Sequence, residues 1–143
     1  MTKRLALSLL LLFARVALAQ DAVSASVKSI SKTGVFAFGG VGFAGVTSQG
    51  EKDFRVIFDQ PPDAALQSFE SIYASGNPEA KSYALAAIHK LDERRFTELL
   101  ASLKNPEERV LTMRGCIMER HTMSEVAKEI QAGQFDSWIY RRP

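Results

Sequence analysis

Residues 77–104, NPEAKSYALAAIHKLDERRFTELLASLK, constrain the fold more than any other stretch, because two helix starts follow one another there. Asn77 before Pro78 is an N-cap followed by a first-turn proline, whose missing N–H has no intrahelical partner to lose. Ala80, Tyr83, Ala84, Ala87, Ile88 and Leu91 then recur at three-and-four spacing, with Lys81, Ser82 and Lys90 opposite. Asp92 takes the next N-cap position, and Phe96, Leu99, Leu100 and Leu103 make a second stripe until Asn105-Pro106. The spacing predicts helices over 78–91 and 93–104, and so short a connection folds them back on each other.

The flanking segments extend this pattern. Pro61-Pro62 opens a helix over 62–75 with Leu66, Phe69, Ile72 and Tyr73 on one face and Gly76 just past its end. Ser48 and Glu51 have capping-box spacing for a short helix, with Phe54, Ile57 and Phe58 inward and Lys52, Asp53 and Arg55 outward. Thr122 and Glu125 repeat that spacing before Met123, Val126, Ala127 and Ile130, and Phe135, Trp138 and Ile139 form a C-terminal apolar anchor. The expected fold is mainly α: a compact helical domain of consecutive αα-hairpins with a small β or extended Gly-rich N-terminal element, α+β being the alternative.

Residues 1–19 read as a signal peptide. Lys3 and Arg4 precede an apolar run, and Ala17-Leu18-Ala19 is a small-residue cleavage pattern, so the chain is expected to be exported, periplasmic or secreted. Lys3, Arg4 and Arg15 account for three of the 18 basic residues, leaving 15 against 16 acidic, near −1, in the remainder. That balance, without an Arg-rich face, argues against nucleic acid as a partner. Residues 20–33, polar and Ser-rich, read as a mobile leader or an edge strand, and 34–143 as a single helical domain. Ser29-Ile30-Ser31-Lys32 matches S-x-x-K, but the companion S-D-N and K-T-G elements are absent.

Residues 34–46, GVFAFGGVGFAGV, place five glycines among Phe36, Phe38 and Phe43. Gly40, Gly42 and Gly45 satisfy G-x-G-x-x-G, but a dinucleotide site needs a doubly wound parallel sheet that a helical chain of this length does not supply, so no cofactor is expected. The favoured expectation is a buried hairpin or packed loop whose glycines admit close backbone approach. Insertion of Phe36, Phe38 or Phe43 into a partner groove or, less favoured, shallowly into a membrane is the alternative. Residues 109–118, RVLTMRGCIM, lack a helical phase and are expected to be extended, pairing with the 34–46 region.

Two resemblances rest on these residues. The helix pair containing SYALAAIHKLD is similar to HEAT-type helical repeats over residues 61–104, which implies protein binding on a helical face. Tyr83-Ala84-Leu85, Leu91-Asp92 and Arg114-Gly115-Cys116-Ile117 resemble a group of small exported bacterial proteins of unknown function that share a YAL…LD helix and an RGCI segment. Neither resemblance brings a catalytic motif.

The residue types able to do chemistry are Cys116, His89 and His121. A cysteine nucleophile needs a base in hydrogen-bond reach, and five residues of local chain seldom bring His121 back to Cys116. Flanked by Gly115, Ile117 and Met118, Cys116 is expected to be a buried structural thiol, with an intermolecular disulfide and catalysis as the alternatives. Two histidines and one cysteine at these spacings lack a metal-ligand pattern, so no metal is expected. These readings favour a non-enzymatic protein-interaction module, its contact surface either the helical face around Tyr83 and His89 or the Gly/Phe segment. The alternatives are a small exported enzyme using Cys116 or a histidine, and a membrane-surface protein acting through residues 34–46.

Overall fold

Helix α4 (Pro78–Leu91) is the hub on which the other elements pack. Tyr83-Ala84-Leu85-Ala86-Ala87-Ile88 is buried on every side, and Ser82 is buried with it, donating to the Pro78 carbonyl at 2.9 Å. The expected polar face of this helix therefore does not exist around Ser82. Small alanines let neighbours approach closely, and a helix apolar all round is an interior helix. The computed structural model describes residues 20–140; the expected signal peptide over 1–19 and the residues after Tyr140 lie outside the described residues.

Around α4 stand α1 (residues 20–30), α2 (Gln49–Phe58), α3 (Pro62–Ser75), α5 (Glu93–Ala101), α6 (Met123–Gln131) and α7 (Asp136–Ile139). Between them run β1 (Gly40–Val41), β2 (Val46–Thr47), β3 (Arg109–Arg114) and β4 (Ile117–Thr122). The mainly α fold with a small β element is as expected from sequence. So are the caps: Ser48, Asn77, Asp92 and Thr122 each accept a backbone N–H three residues on. α5 stops earlier than expected, at Ala101, where the Ser102 N–H turns back to the Glu98 and Leu100 carbonyls. No helix among the described residues is long and apolar enough to cross a membrane.

The stretch read as a leader or edge strand is a helix over residues 20–30. Val23, Ser26, Val27 and Ile30 share its inner face at helical spacing, and Ile30 is fully buried. The helix is pinned where the Ser29 hydroxyl donates to Asp53 at 2.6 Å, which also buries Asp53, a residue expected outward. Beyond it, the Asn77 amide donates to the Thr33 carbonyl at 2.6 Å.

Residues 109–118 are extended, and they do pair with the glycine segment. β3 and β4 form an antiparallel hairpin with Val110 opposite His121, Thr112 opposite Glu119 and Arg114 opposite Ile117. Gly115 makes its tight turn at φ 56°, a conformation open to a residue without Cβ. Along the other side of β3, Phe36 bridges Thr112 and Val41 bridges Gly115 in parallel. The Phe36 N–H donates to Leu111 at 2.8 Å, Met113 donates to Phe36 at 3.1 Å, and Gly42 donates to Gly115 at 2.9 Å. Five steps from Phe36 to Val41 oppose three from Thr112 to Gly115, so the segment bulges over residues 37–40.

That bulge leaves backbone groups without strand partners, and buried side chains replace them. The Tyr83 hydroxyl accepts the Ala37 N–H at 2.9 Å and donates to the Ala37 carbonyl at 2.7 Å. The Glu51 carboxylate accepts the Gly39 N–H at 2.8 Å and pairs with Arg55 at 2.6 Å, and Arg55 in turn donates to the Trp138 carbonyl. Burial pushes the Tyr83 hydroxyl up to about 12, so it stays a neutral donor and acceptor.

Candidate functional site

The turns of the two β-hairpins lie side by side, joined by the Gly42–Gly115 hydrogen bond and the Val41–Gly115 bridge. Their sequences dictate what this twin tip displays. Gly42 and Gly45, at φ 69° and 60°, turn the chain around Phe43-Ala44, and with no neighbour above it the Phe43 ring is fully exposed at 103%. Val46 is 58% exposed beside it. On the second tip, Cys116 occupies the turn after Gly115, and Ile117 and Met118 are 64% and 55% exposed. Four large apolar side chains and a thiol thus gather at one end of the protein. An apolar cluster without intramolecular cover is the usual mark of a contact surface.

The thiol is a correction to the sequence reading. Cys116 is exposed, because Gly115 reverses the chain and puts its neighbour at the apex of the hairpin rather than under it. His121 lies toward the far end of β4, roughly 13–16 Å along the strand from Cys116. It sits 3.4 Å from Glu119. His89 belongs to a different surface: its ring packs on Phe96 with centroids 4.6 Å apart, and its Nδ1 is buried with no hydrogen-bond partner. Burial, reinforced by the Lys90 ammonium, holds the His89 imidazole below its ordinary range, against the opposite pull of Asp136 and Glu93. No hydrogen bond joins any two of Cys116, His89 and His121, so these side chains do not form a nucleophile–base arrangement. Among the described residues, no group of three or more His, Cys, Asp or Glu side chains is placed to hold a metal ion.

Two of the aromatic binding candidates, and Tyr83 with them, are core residues. Phe36 and Phe38 are buried, meeting each other edge-on at 5.6 Å and Tyr83 at 4.9 and 5.2 Å. The bulge divides the glycine segment: residues 36–39 are buried in succession against the core around α4, and the turn at Phe43-Ala44 beyond it faces away. Of the sequence-selected aromatics, Phe43 alone reaches the surface, and the helical face around Tyr83 is covered by other elements. Sequence reasoning did not single out Val46, Ile117 and Met118, although Ile117 and Met118 flank a Gly-Cys turn and apolar residues beside a two-residue turn have little to pack on.

Hollows also lie elsewhere. A cleft of about 180 Å³ runs beneath the sheet between Phe36, Thr112, Arg114, Phe135 and Trp138. Arg114 roofs it, paired with Glu129 at 2.6 Å and 5.7 Å from the Phe135 ring centroid. A shallower groove of about 400 Å³ between α3, α4 and the chain after α5 is lined by Tyr73, Leu103, Lys104 and Met123, with a Lys81–Glu108 pair at 3.3 Å. Burial and the Glu108 charge hold the Tyr73 hydroxyl above its ordinary value. Arg114 of the cleft and Lys81 and Glu108 of the groove are already paired within the fold. No protein family, curated protein or solved structure matches this chain.

Proposed function

We propose that this chain is an exported, non-enzymatic interaction module that contacts another protein through the twin hairpin tip. The observation that carries it is the cluster of Phe43, Val46, Ile117 and Met118, exposed together on two turns held in register by the Gly42–Gly115 bond. Export is supported by the basic-then-apolar residues 1–19 and their A-L-A pattern. Covering a fully exposed apolar side chain of this size is worth roughly 1.5–3 kcal/mol, less for those already half covered. The sum is of the order of the ~4–15 kcal/mol that association costs. Apolar contact alone therefore supports transient binding, and a stable complex needs further bonds.

A photo-crosslinking residue at position 43, with Lys52 on α2 as the control position, tests this in the producing cells. A discrete protein adduct from position 43 and none from position 52 is the expected result; equal labelling from both removes the tip from consideration. Phe43 between two glycines also favours a second reading, shallow membrane contact. Lipid adducts and co-sedimentation with vesicles, lost in Phe43→Ser, would replace the protein partner with a bilayer.

A further inference from the structure

We infer that the partner docks as an added β-strand along the open edge of β4, running antiparallel to it, with an acidic–basic–apolar–apolar sequence opposite Arg120, Glu119, Met118 and Ile117. This rests on the tip being the contact surface and specifies what lies against it. Leu111, Met113 and Gly115 direct their backbone groups to the glycine segment, so by alternation Val110, Thr112 and Arg114 bond to β4. On β4, His121, Glu119 and Ile117 are then turned inward to β3, and Met118 and Arg120 present N–H and C=O groups to the open side. The Thr122 N–H, the next in that row, is closed off by Glu125 at 2.7 Å. The Arg120 carbonyl meets only an exposed Arg109 guanidinium at 3.5 Å, and no described residue meets the Met118 backbone. A row of unpaired strand groups is recognised by one kind of occupant, another extended backbone.

Side chains choose which strand. Met118 and Ile117 at the tip end call for apolar neighbours, Arg120 for an acidic one and Glu119 for a basic one, since opposite charges directly across a ladder attract. The same side chains disfavour a second copy of this chain: pairing about Glu119 sets Glu119 against itself, pairing about Arg120 sets two arginines together, and pairing about Met118 leaves Glu119 opposite Ile117 and Arg120 opposite Cys116, with both charges unmatched. β2 offers no equivalent edge, being two residues long.

The probe is a synthetic peptide of about ten residues, the length of a strand with flanks, centred on aspartate–lysine–valine–isoleucine and titrated into the protein by NMR with amide hydrogen exchange. The expected result is saturable binding that slows exchange at Met118 and Arg120. N-methylation of the peptide's aspartate and valine, which face those two residues, should weaken it about tenfold or more. Arg120→Glu should lose the peptide and regain binding with lysine in place of aspartate. Absence of binding, binding with unchanged exchange at Met118 and Arg120, indifference to N-methylation, or concentration-dependent protection of these amides without peptide would each overturn the proposal. If the position-43 crosslink still yields a protein adduct, the strand fails and the tip stands; if the adduct is absent or lipid, both fall.

Discussion

Tyr83 does two jobs at the residue scale: its ring meets Phe36 and Phe38 edge-on, and its hydroxyl serves both backbone groups of Ala37 in the bulge. Tyr83→Phe keeps the ring and strands a buried N–H, so unfolding in urea should show a loss of about 1–3 kcal/mol. His89 makes the opposite case, a side chain whose neutral form is tolerated and whose charged form is not. Protonation would add a second N–H at the buried Nδ1, where no acceptor stands. With its folded pKa below the unfolded value of about 6.5, the unfolded chain binds more protons as pH falls through that window. Stability is therefore full above about 6.5 and declines as pH drops toward the folded value. Thermal melts at about pH 5 should fall below those at about pH 7.5, and His89→Leu should narrow the difference. Sequence placed His89 beside the stripe of α4, and its neighbour Ile88 in the core. It gave no hint that the ring would pack on Phe96 with one nitrogen buried, because Phe96 comes from the next helix.

Elements were legible wherever their ends carry local chemistry. The Thr122–Glu125 capping box is formed in both directions, with the Glu125 N–H on the Thr122 hydroxyl at 3.1 Å and the Thr122 N–H on the Glu125 carboxylate at 2.7 Å. The Thr122 N–H, with the Thr122 hydroxyl donating to the same carboxylate at 3.1 Å, holds the Glu125 carboxyl below its usual range. Thr122→Ala should cost ~1 kcal/mol and lower the melting temperature by a few degrees, about 2–8 °C. Helix α1 escaped notice for the complementary reason. Its inner face includes Ser26, whose hydroxyl lowers the apolar contrast, and its stabilisation comes from Ile30 in the core and Ser29 on Asp53, contacts made with residues far along the chain. The β3–β4 hairpin was half legible: residues 109–118 lack a helical phase, yet Glu119, Arg120 and His121 look no more like a strand than a loop until pairing with β3 defines them.

For the whole molecule, the core around α4 and the twin tip are separate features, and mutations should separate them. Phe43→Ser removes a fully exposed ring, so stability should stay within about 0.5 kcal/mol of the parent while the position-43 contact is weakened. The native protein should also take up one equivalent of a thiol reagent without denaturant, because Cys116 sits at the apex of a turn; labelling only after unfolding would contradict that placement. By itself the sequence determined helices α2 to α6, the caps at Ser48, Asn77, Asp92 and Thr122, the extended character of residues 109–118 and the mainly α class, because periodicity and end chemistry act within a few residues. Only the tertiary structure decided that α4 is buried all round, that Phe36 and Phe38 belong to the core while Phe43 does not, and that Cys116 faces solvent. The first depends on the helices that close around α4, the last on the hairpin that sets Gly115 at its turn, and the division of the phenylalanines on the register between the glycine segment and β3, a pairing of residues more than seventy positions apart that no local pattern encodes.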